Sequence, residues 1–261
     1  MHPANWRLIN GEFLEAIPAP LARAKGNAIA RLLSQSDWLL RRKSDGRFVA
    51  ARRRGQLLSL QRGSLDRRLQ DDLRQLEHAE AGGGSLRPLS GLLEGLRALG
   101  LDETYGDSHQ LALVPEPSVL DYAGKDRYAR PLWLSAGAAR AWRDMRRAAH
   151  AEGRTLEAIS GYRSHQYQMG IFRRKLGRGI PVEEILTVNA APGYSEHHGG
   201  NAMDIGSPGE PPAEESFEKT PAFAWLQANA ARFGFSMSYP RGNPHGILYE
   251  PWHWRWSAAR A

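Results

Sequence analysis

Cysteine is absent from this chain of 261 residues. The chain can therefore form no disulfide, no thiolate metal site and no cysteine nucleophile. Long apolar runs are absent as well, since no stretch approaches the ~18 apolar residues of a membrane span. Residues 1–21 contain no basic patch followed by an apolar run, so the sequence predicts no signal peptide. A location in the cytoplasm and one in the cell envelope, with a targeting segment missing from this sequence, both stay open.

Basic side chains exceed acidic ones, at 35 against 28, which gives a formal net charge of +7. Such a surface attracts polyanions, among them nucleic acid, anionic lipid and an acidic cell wall. Residues 41–54 alone carry seven basic side chains. They form either a polyanion-binding patch or the outward positions of strands, and the second interpretation is favoured. No nucleic-acid-binding motif accompanies the charge, so no nucleic acid partner is expected.

The pattern of turns and apolar spacing divides the chain into two parts. Residues 1–105 are predicted to form a small mixed α/β module, and residues 106–261 a larger domain. Within the first part, three short strand-like runs separated by turn signals predict a meander over residues 38–42, 47–53 and 56–61. The second part is predicted to contain helices over 135–153 and 165–176, and strands over 156–160, 201–205 and 247–256.

The first segment with candidate chemistry is residues 195–204, which read SEHHGGNAMD. Imidazole and carboxylate groups are ordinary zinc ligands. On a straight strand His197 and Asp204 would lie ~23 Å apart, too far to share an ion. Glycine tolerates positive φ, so Gly199 and Gly200 can provide the sharp reversal that brings the two together. The alternative is a glycine turn with a surface histidine.

The second segment is residues 250–255, which read EPWHWR. Glu250 and His253 are three positions apart, a spacing that places them on opposite faces of a regular strand. Both can face one metal only if the backbone bends, and Pro251 is the expected place. The alternative is an aromatic core strand with incidental polar residues.

Taken together, His197, Asp204 and His253 make three protein ligands, the number that leaves a catalytic zinc ion open to water. Glu250 is then the natural base for that water.

A third segment, residues 160–164, reads SGYRS. Arg163 in this segment can stabilise an oxyanion or clamp a carboxylate, and Gln168 lies about one helical turn further on. A purely structural arginine at a helix start is the alternative.

The three segments, in this order, resemble the motifs of the zinc D-alanyl-D-alanine carboxypeptidase family. This is the VanY-like group, related to the VanX dipeptidases and to the hedgehog fold. The resemblance covers residues 121–256 and leaves the N-terminal module outside it. It implies an α+β fold, with a small antiparallel sheet and helices packed against it.

The resemblance also implies the role of each site residue. His197, Asp204 and His253 would bind one zinc ion, and Glu250 would be the general base. Beyond these four, the implied roles concern the substrate: Arg163 would stabilise the charge on the scissile carbonyl, Ser195 and Gln168 would hold the terminal carboxylate, and Tyr162 and Trp252 would line the pocket. His198 could compete with His197 as a ligand, but the family spacing favours His197. His245 is a less favoured polar group near the site.

The implied activity is removal of a C-terminal D-alanine from peptidoglycan stem peptides or muropeptides. Three other cleavages use the same zinc chemistry and stay open: those of an L,D-carboxypeptidase, a D-Ala-D-Ala dipeptidase and an endopeptidase. A non-catalytic peptidoglycan-binding protein is a further alternative, which the presence of Glu250 and Arg163 disfavours. The oligomeric state and the role of residues 1–105 do not follow from the sequence.

Overall fold

The structure, a computed structural model, describes residues 6–22, 27–60, 66–79, 85–89, 91–102 and 104–258. Within these residues the chain has the predicted α+β class, with two antiparallel sheets and helices packed against them. The smaller sheet carries the candidate site. The larger sheet joins the N-terminal module to the rest of the chain.

The larger sheet has seven strands. In chain order they are β1 (Arg7–Asn10), β2 (Leu14–Pro18), β3 (Trp38–Arg42), β4 (Phe48–Arg53), β5 (Gln56–Ser59), β6 (Val119–Lys125) and β7 (Pro131–Leu134). Their spatial order is β5-β4-β3-β2-β1-β6-β7. The meander β3-β4-β5 was predicted from its turn signals. The remaining four strands were not, because their short apolar runs lack a clear alternation.

This sheet crosses the domain boundary that was predicted between residues 105 and 106. Strand β1 pairs with β6 in antiparallel register, with Leu8 opposite Leu120. Both leucines are fully buried, and they share one apolar cluster with Ile17 and Trp133. The N-terminal module and the C-terminal domain therefore have a sheet and a core cluster in common.

The smaller sheet contains β8 (Glu157–Ser160), β9 (Ala202–Gly206), β10 (Phe235–Met237) and β11 (His253–Trp256), in the order β10-β11-β9-β8. The strand predicted over residues 247–256 was too long, since β11 begins only at His253. Residues 250–252 form a turn instead, in which the backbone N–H of His253 donates to the Glu250 carbonyl at 3.1 Å. Pro251 supplies no N–H for a strand ladder, in line with the predicted bend.

Eight α-helices lie among the described residues: α1 (Asn27–Gln35), α2 (Arg67–Ala79), α3 (Leu92–Arg97), α4 (Thr104–Ser108), α5 (Ala136–Ala151), α6 (His165–Leu176), α7 (Val182–Val188) and α8 (Pro221–Asn229). Helix α5 begins after Ser135, whose side chain accepts from the Ala138 N–H. Its fully buried Trp142 and Met145 pack in one cluster with Met203 of β9 and Trp254 of β11. This packing supports the sheet from the face opposite the candidate site.

Among the described residues, no helix combines the length and apolar character that crossing a bilayer requires.

The basic stretch of residues 41–54 is partly engaged inside the protein. Arg41 pairs with Glu15 at 2.9 Å, and Arg42 pairs with Asp45. The Lys43 side chain is only 1% exposed. At least three of the seven basic residues thus have structural contacts. Lys43, buried after the end of β3, occupies neither a surface patch nor an outward strand position.

Lys43 belongs to a buried polar cluster at the junction of the two parts of the chain. Its partner is Glu116, which is 4% exposed. Burial alone would raise the pKa of Glu116, but the Lys43 ammonium and His165 outweigh it and lower the pKa to about 2. Glu116 is therefore a buried carboxylate that stays charged and stabilises the folded chain.

We expect Glu116 to make folding stability depend on acid pH. Because its folded pKa lies below the unfolded value of 4.5, its contribution is complete above that pH and is lost as the pH falls toward about 2. The loss amounts to about 3 kcal/mol, from ~1.4 kcal/mol per pKa unit. Urea unfolding with chelator present, between pH 6 and pH 2, should give a smaller pH-dependent loss for Glu116→Gln than for the wild type. Equal losses would contradict the expectation.

Candidate functional site

Three polar side chains lie in a row across the smaller sheet. Asp204 on β9 is paired in register with His253 on β11 and with Ser160 at the end of β8. Directly opposed residues in an antiparallel pair project to the same face of the sheet. The Ser160 hydroxyl donates to Asp204 Oδ2, and His253 Nδ1 lies 3.3 Å from Asp204 Oδ1. Strand pairing alone therefore brings Asp204 and His253 together.

His197 reaches the same point through the predicted reversal. Residues Glu196–Gly199 form a single 3-10 turn, and Gly200 follows with a φ of +69°. A Cβ at Gly200 would lie 2.9 Å from the backbone nitrogen of Ser135, so glycine meets both the conformation and the space. After this reversal His197 Nε2 lies 3.4 Å from Asp204 Oδ1.

His197, Asp204 and His253 form a donor set that suits a metal ion. Each offers one ligand atom, these atoms lie within 4.8 Å of one another, and all three residues are buried. His197 Nδ1 lies 2.8 Å from the Gly161 carbonyl, which can only accept, so Nδ1 carries a proton and Nε2 is the nitrogen that faces Asp204. His253 Nε2 lies 2.8 Å from a Glu196 carboxylate oxygen. The other ring nitrogen, Nδ1, therefore faces Asp204. Such outer contacts commonly orient metal-binding histidines.

The charged groups at this point shift one another's pKa values. Burial would raise the pKa of Asp204, but contacts with His197 and His253 hold it well below its usual range. Burial would lower the pKa of His253, but hydrogen bonds to Asp204 and Glu196 raise it to about 10. For Glu196 the hydrogen bond from His253 likewise reverses the effect of burial and lowers the pKa to about 2. The buried Asp204 and the partly buried Glu196 thus favour positive charge at this point, which a metal cation also supplies.

Glu250 lies beside the donor set and outside it. Its Oε2 is 3.8 Å from His253 Nδ1. Burial raises the pKa of Glu250 to about 7. A carboxyl with a pKa near neutrality can both accept and return a proton at neutral pH. Glu250, His197, Asp204 and His253 all line one open cavity of about 420 Å³.

Arg163, three residues after the end of β8, also lines this cavity. One guanidinium nitrogen lies 3.9 Å from Asp204 Oδ2, and another donates to Gln168 Oε1 at 3.1 Å. Gln168 is fully buried, and its Nε2 donates to the Ala190 carbonyl at 2.9 Å. Both ends of the Gln168 amide therefore have protein partners. Gln168 also lines the cavity, so the contact with a substrate carboxylate that the resemblance implies stays a prediction.

The remaining predicted residues separate into two groups. Ser195 and Trp252 line the cavity, where the sequence places them. Tyr162 is not among the lining residues. Its hydroxyl donates to Glu116 at 2.6 Å and accepts from the Asn10 side-chain amide at 2.9 Å. Tyr162 therefore points into the junction cluster, away from the position that the resemblance implies.

The two other histidines considered from the sequence have different surroundings. His198 Nδ1 donates to the Arg163 carbonyl at 2.6 Å, and its Nε2 accepts from the Gly193 N–H at 3.0 Å. With both nitrogens engaged, His198 does not compete with His197. His245 Nδ1 lies 2.9 Å from the His109 carbonyl, and His245 does not line the cavity.

Sequence reasoning missed Glu196 and Tyr239. Glu196 holds His253 through the 2.8 Å contact, and the Tyr239 ring packs 4.7 Å from the His253 ring while lining the cavity. The acidic residue directly before His197 was the available signal for Glu196. Tyr239 belongs to no motif, and only the fold brings it to the site.

An open cavity, a His-Asp-His donor set and an adjacent carboxyl group are the arrangement that metal-dependent peptidases use. Residues 131–259 match the family model described as VanY, D-alanyl-D-alanine carboxypeptidase. These residues therefore form a domain of the VanY family.

Two curated relatives, found by sequence, agree with this assignment. The Bacillus subtilis protein named "Putative carboxypeptidase YodJ" is 40% identical over 136 residues, which are 49% of this chain and 48% of that protein. A D-alanyl-D-alanine carboxypeptidase of Enterococcus faecium is 33% identical over 38% of this chain and 32% of its own length. The chain thus spans about half or less of the length of these two relatives. A solved structure of the LdcB LD-carboxypeptidase is 38% identical, covers 48% of this chain and 59% of that one, and has a TM-score of 0.44.

Proposed function

We propose that the VanY-family domain is a zinc metallocarboxypeptidase that removes the C-terminal D-alanine from peptidoglycan stem peptides or their precursors. One observation carries the proposal: the buried His197, Asp204 and His253 set shares an open cavity with Glu250. Three protein ligands leave a zinc ion open to water and substrate. The names of the relatives supply the substrate class.

The side chains of this chain have distinct tasks in the proposed reaction. A bound zinc ion would lower the pKa of its water to ~7 and polarise the scissile carbonyl. Glu250 takes the proton of the attacking water and returns it to the leaving amine, since its carboxylate lies beside the ligand set and lines the same cavity. The Arg163 guanidinium stabilises negative charge that develops on the carbonyl oxygen. Ser160 holds the Asp204 carboxylate in place by its hydrogen bond.

The direct test offers the purified zinc-loaded protein a pentapeptide that ends in D-Ala-D-Ala and follows the release of D-alanine. Release that stops on addition of a chelator supports the proposal, and no release from the wild type contradicts it. A panel of defined muropeptides read by mass spectrometry separates this cleavage from L,D-carboxypeptidase, dipeptidase and endopeptidase cleavage. Fractionation of producing cells tests whether the protein acts in the cell envelope.

Replacing Glu196 by glutamine is expected to weaken zinc binding by ~10–100-fold, the usual cost of losing a partner that orients a ligand histidine. The carboxylate fixes His253 with its Nε2 proton outward, and an amide can offer the wrong group to that nitrogen. Competition with a chromogenic chelator measures the dissociation constant. Lys219→Gln, an exposed change of charge outside the cavity, is the control. Unchanged affinity in Glu196→Gln would contradict the assignment.

A further inference from the structure

Glu116 holds both ends of the short segment that carries Arg163. Its Oε2 accepts from the Tyr162 hydroxyl at 2.6 Å, and its Oε1 accepts from the backbone N–H of His165 at 2.7 Å. Arg163 and Ser164 lie between these two attachment points. The position of the segment therefore depends on where the Glu116 carboxylate is held.

The N-terminal module holds that carboxylate. Lys43, in the loop after β3, directs its ammonium to Glu116 Oε2 and donates to the Gly11 carbonyl at 2.6 Å. The side-chain amide of Asn10 donates to the same Glu116 oxygen at 3.0 Å. The Lys43 side chain is 1% exposed and that of Glu116 is 6% exposed, so water does not compete for this pair. Removing one partner of such a pair leaves a buried charge without compensation.

The same segment supports the metal site on its other side. The Gly161 carbonyl accepts from His197 Nδ1 at 2.8 Å, and the Arg163 N–H donates to the His197 carbonyl at 3.2 Å. A shift of residues 161–165 would therefore move the Arg163 guanidinium relative to Asp204, from which it is now 3.9 Å away.

We propose that Lys43 is a positioning residue for Arg163, and that the N-terminal module is a structural part of the active site through the Lys43–Glu116 pair. No part of this pair belongs to the segment that matches the family model, which begins at residue 131. The effect of Lys43 on kcat can be measured only if the proposed function is correct. The effect of Lys43 on the hydrogen exchange of residues 161–165 can be measured without any activity.

The test compares Lys43→Met with Leu76→Ala in the full-length protein. Leu76 is a buried α2 residue in the apolar cluster of the N-terminal module, so its truncation destabilises that module without touching Glu116. For Lys43→Met we expect a fall in kcat of ~10–100-fold at saturating zinc, since small misplacements of a catalytic group have effects of this size. KM should change less, because the proposed Arg163 contact strengthens as charge develops. Hydrogen exchange of the amides of residues 161–165 should be faster in Lys43→Met than in Leu76→Ala.

A double-mutant cycle assigns the effect to Arg163. If Lys43 acts through that residue, Lys43→Met should lower kcat much less in an Arg163→Lys background than in the wild type. Full additivity, or exchange and kcat values equal to those of Leu76→Ala, would overturn the proposal. A wild type with no peptidase activity would overturn the proposed function alone, and the exchange comparison would then decide the positioning role by itself.

Discussion

Glu250→Gln is expected to lower kcat by ~10²–10⁴-fold, the usual contribution of a positioned general base. Zinc should stay bound, because Glu250 lies outside the set formed by His197, Asp204 and His253. Glutamine is nearly isosteric but cannot take a proton from water. The loss should therefore fall on kcat more than on KM.

The measurement is D-alanine release from a pentapeptide, together with zinc content by atomic absorption. Glu152→Gln is a matched control, since this exposed carboxylate accepts from the Trp225 indole at the end of α5, away from the cavity. We expect the control to retain wild-type kcat. Undiminished activity in Glu250→Gln would refute the assignment of the base, and loss of zinc in this variant would make Glu250 a ligand.

Asp204→Asn is expected to abolish zinc binding at micromolar zinc and, with it, activity. Asp204 is the centre of the donor set: it lies 3.4 Å from His197 Nε2 and 3.3 Å from His253 Nδ1. The amide removes the negative charge that favours a cation there. In the wild type, zinc at ~1,000 times its dissociation constant should stabilise the fold by ~4 kcal/mol. That increment should vanish in the variant.

Thermal unfolding with zinc and with chelator measures, for each protein, the increment in stability that zinc provides. Asp126→Asn, which alters a buried carboxylate paired with Arg130, is the matched control and should keep it. A full zinc increment in Asp204→Asn would remove Asp204 from the ligand set. An increment absent from the wild type itself would contradict a zinc site at this position.

Local chemistry made much of the site accessible from the sequence. Gly200 and Pro251 are residues whose backbone limits are known in advance, so the reversal after His197 and the bend before His253 could be predicted, and both occur. The helix predicted over residues 135–153 from its apolar spacing likewise occurs as α5, with Trp142 and Met145 buried. These inferences rest on interactions within a few positions along the chain.

Other features could not be predicted in this way. The hydrogen bond from His253 to Glu196 spans 57 positions, and the Lys43–Glu116 pair spans 73. Neither separation has a period or motif that reports it. The pairing of β1 with β6 is equally non-local, so the sequence gives no signal for it either.

The sequence by itself determined the class of the domain and the residues to expect around the metal, because ligand chemistry and backbone constraints are properties of residue types and short spacings. Only the tertiary structure decided what surrounds them. It brought Glu196 into hydrogen-bond contact with His253 and directed the Tyr162 hydroxyl to Glu116. It also paired Lys43 with Glu116, which contacts the residues on either side of Arg163. The physical reason is burial: these charges and hydroxyls are held where water is excluded, so their partners depend on which distant strands pack together.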